Sequence, residues 1–428
     1  MKRGFKTVFL TVLCTLAGAC TMSSSSVTPA APKPLNMASA ELPEDRVMDV
    51  WIEQFTPSKV DEDEAEETGV SDDIRKAESR FIPVHLRDTM QSSGYWGVVR
   101  VVPRGTVGAE LLVSGTVAQS NGRELVLDVT ARDAMGTLWL ERTYSTWAVP
   151  VSYDGTAPGE QDAFQNVYNQ ISNDLAEILM QQPAAEVETV RQAATLRFAA
   201  DMAPSAFEDY LSEDARGGVM IERLPSEDDP LYTRVLALKD RDDMFADVLN
   251  AHYGQFYNGM WDSYTNWRRA SLEEILALEQ VERESSTKIA AGVLAILGAI
   301  AIDALGGSNN TGTLEAVMVG GGAMAIQAGI NQGAEAEMHE VAIQELGQSF
   351  EAEVSPMVVE IDGETIELTG SADVQYMRWR QLLQRRHVAE TGATITVVAT
   401  NAPDGGQTCT ANTEDAQVDA VVAAAAGC

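Results

Sequence analysis

The spacing of apolar residues predicts that the first third of the chain is built mainly of strands. Between residues 45 and 150, apolar and polar positions mostly alternate with a period of two. Strands are therefore predicted at 47–55, 95–102, 111–120, 123–132 and 137–149. Asn121-Gly122 stands between two of them and predicts a tight hairpin turn.

Two helices accompany these strands. Residues 71–92 have apolar positions at helical spacing, with Ser71 as a cap and Gly94 as a stop. Pro83 inside this segment predicts a kink or a break, because proline has no N–H to donate. A second amphipathic pattern at 162–180 closes the region.

Beyond residue 185 the apolar spacing is that of helices. Short helices are predicted at 186–202 and 204–213, and one long helical pattern runs from 231 to 288. The apolar face of the long pattern carries seven large side chains at steps of three and four, namely Phe245, Leu249, Tyr253, Phe256, Met260, Tyr264 and Trp267. The stripe fits the seam of a helix pair or a surface for a flat ligand.

Two uncharged runs follow, at 289–302 and 316–334, separated by a turn-forming sequence. Small residues recur at every fourth position, namely Ala291, Ala295 and Ala299 in the first run and Gly321, Ala325, Gly329 and Gly333 in the second. Such strips let helices approach closely. Fourteen residues reach about 21 Å as a helix, less than a hydrocarbon core of about 30 Å. Three interpretations stay open for this hairpin: tight packing within the domain or an oligomer, insertion into a membrane, or a flexible or membrane-surface segment.

The C-terminal part is predicted to contain a hairpin at 357–368, a helix capped by Ser371, and a tail at 393–428. The apolar face of this helix is expected to hold Val374, Met377, Leu382 and Leu383. Four arginines are expected on its exposed side, namely Arg378, Arg380, Arg385 and Arg386. They could dock on the acidic body or on a partner, or form a solvated face.

The predicted fold class is α+β. A small mixed-sheet domain with two helices spans 45–182, and a mainly helical domain with a long antiparallel helical hairpin (289–334) spans 186–356. A β-hairpin plus helix follows at 357–392. The order strand, helix, strand, three meandering strands, helix resembles the α+β domain of envelope lipoproteins such as the curli-secretion lipoprotein, penicillin-binding-protein activators and the amino-terminal domains of TolB-type proteins.

The amino terminus has the layout of a secretory signal. A basic start precedes a short apolar stretch at 7–16 and three small residues that lead to Cys20. The sequence LAGAC resembles the lipobox of bacterial lipoproteins, which implies cleavage after residue 19 and a lipid on Cys20. Residues 20–44, rich in Ser, Pro and Ala, are then expected to be a flexible tether. By the sorting habit of that family, Thr21 implies the outer membrane, with the body in the periplasm.

Composition narrows the range of partners. The chain has 30 basic and 64 acidic side chains, a net charge of −34, so its surface repels nucleic acid and anionic headgroups. Protein partners of the envelope and further copies of the chain are expected instead. In an oxidising compartment, Cys409 and Cys428 are expected to form a disulfide that adds about 3 kcal/mol.

The sequence lacks the common catalytic motifs. Its four histidines are far apart, and His339-Glu340 is followed by Ile343 where a zincin helix has its second histidine. Neither a Gly-x-Ser-x-Gly elbow nor a phosphate-binding loop occurs. The sequence therefore predicts a noncatalytic scaffold or assembly factor without a cofactor. The alternatives are an oligomeric outer-membrane export channel with membrane-inserted helical hairpins, and an enzyme with an unrecognised carboxylate pair.

Overall fold

The computed structural model describes residues 33–59, 70–226, 228–303, 357–361 and 364–391, with the backbone alone for 278, 281–303, 357, 360, 361 and 364. It confirms a mixed α+β fold. The amino-terminal elements are β1 (Val50–Glu53), β2 (Thr56–Pro57), α1 (Asp72–Ser93), β3 (Val99–Val102), β4 (Leu111–Ser120), β5 (Glu124–Asp133), β6 (Leu138–Trp147) and α2 (Gln165–Gln181). This is the predicted order of elements, with β2 added.

The sheet is mixed and has the strand order β3-β1-β4-β5-β6, with β2 beside β4. Strand β1 is parallel to both β3 and β4, and α1 forms the crossover from β1 to β3. Strands β4, β5 and β6 form the predicted antiparallel meander, and the Oδ1 atom of Asn121 accepts two backbone N–H groups in the first turn. Helices α1 and α2 pack on each other, α1 contacts β4 and α2 contacts β6.

Helix α1 begins and ends at the predicted residues. The Ser71 hydroxyl accepts the N–H of Ile74, and Gly94 ends the helix in the left-handed conformation. Pro83 does not break the helix. The carbonyl of Ser79, which loses its helical donor at Pro83, accepts the N–H of Phe55 instead. A tertiary hydrogen bond thus compensates for the proline.

The second predicted short helix, at 204–213, ends earlier than predicted, and its last three residues form a strand. Helix α3 (Ala184–Met202) is followed by one turn, α4 (Pro204–Phe207), and a short 3-10 segment. The chain then enters an antiparallel pair of β7 (Leu211–Glu213) and β8 (Val219–Ile221). This hairpin is bonded to the main sheet, because the Val219 N–H donates to the carbonyl of Met135 in the β5–β6 turn. Long-range pairing therefore overrides local helical spacing.

Helix α5 (Pro230–Asp303) is the longest element of the described chain, with 74 residues. At 1.5 Å per residue its backbone is about 110 Å long. The predicted outgoing leg of the helical arm is part of this helix, whereas the return leg at 316–353 lies outside the described residues. All seven side chains of the predicted aromatic stripe are buried, and Tyr264 packs on Phe81 of α1. Phe81 also contacts Tyr257 and Trp261, which lie beside the stripe on α5.

Strands β9 (Met357–Ile361) and β10 (Glu364–Leu368) form the predicted hairpin, and Ser371 caps α6 (Ala372–Thr391). Two predictions for α6 are wrong. Met377 is 57% exposed instead of lying on the apolar face. The guanidinium of Arg380 is mostly buried and contacts Asp242 of α5 and Asp201 of α3. Arg380 therefore docks α6 on the acidic body.

Part of the predicted tether is bound to the body. The N–H groups of Lys33 and Asn36 donate to the side chains of Asn166 and Asn173 on α2, at 2.8 and 2.7 Å. Asn173 also donates to the carbonyl of Pro34. Residues 33–36 are thus fastened to the second helix.

Candidate functional site

The most elaborate arrangement of polar groups lies where α5 docks on the sheet domain. Six polar side chains project from α5 toward this domain at steps of three, four and seven residues, which keeps them on one helical face. We call them the polar seam: Asp247, Asn250, Tyr253, Tyr257, Tyr264 and Arg268. Together they bond strand β3, helix α1, Gln54 after β1 and the segment between β6 and α2, so the seam fixes both the angle and the register of α5.

The first contacts of the seam close one edge of the sheet. Arg100 of edge strand β3 forms two hydrogen bonds to Asp247, at 2.6 and 3.2 Å. Asn250 accepts the outward N–H of Val101 at 3.0 Å. Edge N–H groups otherwise attract foreign strands. Helix α5 thus supplies side-chain acceptors where a further strand would supply carbonyls.

The middle of the seam contains a buried carboxylate cluster. Glu78 of α1 pairs with Arg75 at 2.9 Å, and both side chains are fully buried. The Tyr264 hydroxyl donates to Glu78 at 2.7 Å, and the Ser120 hydroxyl of β4 donates to the same oxygen at 2.5 Å. Burial and the Glu78 charge raise the pKa of Tyr264 well above its usual value, so this hydroxyl stays a donor.

A second buried ion pair lies one turn further along α5. Arg268 donates to both oxygens of Asp162, at 3.0 and 2.6 Å, with both side chains almost fully buried. Burial alone would raise the pKa of Asp162, but the Arg268 guanidinium holds this pKa below its ordinary value. The guanidinium also lies 4.2 Å from the ring centre of Tyr264. This pair fixes residues 148–164, between β6 and α2, which we call the strap.

His85 of α1 joins the seam to the strap. Its Nδ1 lies 2.7 Å from the Tyr257 hydroxyl, and its Nε2 lies 2.7 Å from Oε1 of Gln165. The Gln165 amide nitrogen donates to Asn169, which leaves Oε1 as an acceptor. His85 is therefore neutral, donates from Nε2 and accepts at Nδ1, and burial lowers its pKa. The Tyr257 hydroxyl also accepts the N–H of Gly159 in the strap, at 2.9 Å.

A carboxyl with an unusual pKa lies near the start of β4. Glu110 accepts the N–H of Asp49 at 2.9 Å, and its carboxylate lies 3.8 Å from Arg191 of α3. Burial raises the pKa of Glu110 to about 7, and the charge of Asp49 adds to the increase. The Asp49 N–H and Arg191 lower this pKa by less. Glu110 therefore titrates near neutral pH.

A separate cleft of about 370 Å³ lies between α4, the start of α5 and the end of α6. Its lining consists of Ser205, Ala206, Phe207, Tyr210, Asp229, Leu231, His387 and Thr391. Asp229 is already used as a cap, because it accepts the N–H groups of Leu231 and Tyr232. No described hydrogen bond joins Ser205 to a histidine or a carboxylate, so the cleft offers no activated nucleophile in the part of the chain that the structure describes.

The site residues that were predicted from the sequence do not belong to the polar seam. Ala291, Ala295 and Ala299 fall on the backbone of α5. The others lie outside the described residues, namely Cys20, Cys409, Cys428, Gly321, Ala325, Gly329 and Gly333. Sequence reasoning missed Arg268 and Asp162. The sequence signal that could have indicated Arg268 is its position: it is a charged residue directly after the aromatic stripe and four residues after Tyr264.

The described residues contain neither a candidate metal site nor a candidate membrane span. No group of three or more His, Cys, Asp or Glu side chains there is arranged to hold a metal ion. In the same ranges, no helix combines the length and hydropathy needed to cross a bilayer. Comparisons with known proteins add no relative: no protein-family model, curated protein or solved structure matches this chain.

Proposed function

We propose that the protein is a noncatalytic lipoprotein scaffold of the bacterial cell envelope, which assembles through its long helix. The observation that carries this proposal is the way α5 is fastened. A helix of 74 residues is bonded through the polar seam to a strand edge, a helix and the strap. So many directional bonds set the direction of the helix as well as stabilising the core.

The second support is the length of α5 that follows the ion pair between Arg123 of the β4–β5 turn and Glu279. This pair lies near the end of the part of α5 whose side chains the structure describes. The helical backbone runs on to Asp303 and includes the uncharged run at 289–302. We propose that this portion binds other copies of the chain or an envelope protein. The lipid on Cys20 would hold the assembly at the outer membrane, with the body in the periplasm.

The assembly part of the proposal is tested with two sets of variants on one helix. Ala291, Ala295 and Ala299 are replaced together by Leu, which prevents close helix approach. Ala237 and Ala251, exposed on the docked part of α5, are replaced by Leu as the matched control. Chemical crosslinking in intact envelopes should show oligomers for the wild type and the control and a large loss for the triple variant. A wild-type chain that stays monomeric and crosslinks to no envelope protein would contradict the proposal.

Anchoring is tested separately. The wild-type chain should fractionate with outer membranes, and Cys20→Ser should release it from them or leave the signal uncleaved. A wild-type chain found in the cytosol would contradict the assignment to the envelope, whatever its oligomeric state.

A further inference from the structure

The strap is tied to the rest of the molecule at several points along α5. The Tyr153 hydroxyl donates to the carbonyl of Gly122 at 2.6 Å, and Arg269 donates to the carbonyl of Tyr153 at 2.8 Å. Gly159 donates to Tyr257, and Asp162 pairs with Arg268. The strap therefore lies across one face of α5 and helps to hold this helix on the sheet domain.

One of these ties passes through a buried relay in which the imidazole of His85 is the group that gains a proton in acid. Gly159 N–H donates to the Tyr257 oxygen, the Tyr257 O–H donates to His85 Nδ1, and His85 Nε2–H donates to Gln165. Every hydrogen has one acceptor in this order. The relay joins the strap, α5, α1 and α2, and it is complete only while the imidazole is neutral.

We propose that His85 is an acid-sensitive latch: its protonation breaks the relay and frees the strap from α5 at Gly159. An imidazolium carries N–H on both nitrogens, so Nδ1 would present a hydrogen to the Tyr257 oxygen. That oxygen already accepts from Gly159, and the displaced Tyr257 hydrogen would have to find another acceptor in a buried site. The latch opens because one donor too many is placed in the relay.

The surroundings offset the new charge only in part: the Asp162 and Asp88 charges and the Gln165 hydrogen bond raise the pKa of His85, but burial lowers this pKa by more. The charged and titratable groups that face His85 are Asp88 on α1, Tyr168 on α2, Asp162 on the strap, and Tyr257 and Arg268 on α5. Both oxygens of Asp162 are already bound by Arg268, whose own charge disfavours a second cation. Burial has the largest effect and lowers the pKa of His85, so the latch opens below the ordinary histidine value of 6.5.

The latch is tested by hydrogen exchange of the full chain in detergent micelles at pH 7.5, 6.5 and 5.5, with rates corrected for the chemical effect of pH. In the wild type, exchange in the peptides from residues 148–164 that contain Gly159 should rise as the pH falls from 7.5 to 5.5, by up to about tenfold, which is the limit for an imidazole that titrates at its ordinary pKa in the open state. His85→Gln should abolish this rise. His252→Gln, a half-buried histidine on α5, is the matched control and should keep it. Constant wild-type exchange, or an unchanged rise in His85→Gln, overturns the proposal.

Two further measurements keep the test decisive if His85→Gln does not fold. Tyr257→Phe retains the ring that packs on Phe81 and removes the hydroxyl, so strap exchange should be fast at every pH. The His85 ring is also followed by NMR in the wild type, with its signal assigned from histidine variants. Strap opening at a pH where this ring is still neutral would overturn the proposal.

Discussion

At the scale of single residues, the buried pair of Asp162 and Arg268 should be sensitive to substitution. Both side chains are removed from water, so each charge depends on the other. Asp162→Asn should lower the free energy of unfolding by about 3–5 kcal/mol, because Arg268 stays charged and buried. Denaturant unfolding at pH 7 measures this loss.

The control for this prediction is an exposed pair in the same region. Asp154 lies 3.9 Å from Arg269, and both side chains are largely exposed. Asp154→Asn should change stability by less than about 1 kcal/mol. Equal losses of unfolding free energy in the two variants would mean that burial of the Asp162–Arg268 pair does not affect stability.

Glu110 is expected to give stability a pH dependence. Its pKa is raised from 4.5 to about 7 in the folded chain, so between these values the folded state binds the proton more tightly than the unfolded state. The stabilising contribution of Glu110 is therefore fully present below pH 4.5 and is lost as the pH rises to about 7. Above that pH, Glu110 adds no further pH dependence to the free energy of unfolding. The loss is on the order of 3 kcal/mol.

Glu110→Gln removes the contribution of Glu110 to the pH dependence of the free energy of unfolding. The stability of the variant relative to the wild type should rise between pH 4.5 and 7, measured by urea unfolding at half-unit intervals. Parallel pH curves for the two proteins would exclude Glu110 as the titrating group. His85 has the opposite sign, because its lowered pKa costs stability as the pH falls below 6.5.

At the scale of elements, the contact between the β4–β5 hairpin and α5 has almost no free space. A Cβ atom on Gly122 would lie 1.9 Å from the carbonyl oxygen of Arg268. Gly122→Ala should therefore destabilise the fold by about 1–3 kcal/mol or more, because backbone would have to move on one side. Gly259→Ala on α5 is the control: no atom lies within 4 Å of its added Cβ, and stability should rise by about 0.5–1 kcal/mol. Denaturation midpoints compare the two, and a neutral Gly122→Ala would contradict the close contact.

Two of the predictions that the structure overturns, for residues 204–213 and for Arg380, have one cause. The segment 204–213 has helical spacing, yet its last residues pair with Val219–Ile221, and Arg380 pairs with two acids distant in sequence. Both outcomes depend on partners that local spacing does not contain. The hairpin at Asn121-Gly122 and the caps of α1 were predictable because each depends on a few adjacent residues.

At the scale of the whole molecule, Asn166 and Asn173 of α2 bind the last part of the predicted tether to the body. Asn166→Ala with Asn173→Ala removes the acceptors of the Lys33 and Asn36 N–H groups. Exchange of these two amides should become faster, with little change elsewhere, when followed by NMR. Glu177→Ala, an exposed site on the same helix, should have no such effect. Unchanged amide protection in the double variant would mean that other contacts hold residues 33–36.

The sequence by itself determined the α+β class, the order of strands and helices, the hairpins and the stripe of α5, because these features depend on local spacing and turn chemistry. The proposals of a lipidated Cys20 and a disulfide between Cys409 and Cys428 also come from sequence alone. Only the tertiary structure decided that α5 closes the sheet edge at Val101, that Pro83 is compensated by Phe55, and that His85, Tyr257 and Gln165 form one relay. These arrangements join residues far apart in the chain, and a buried polar group shows its partners only once the elements are packed.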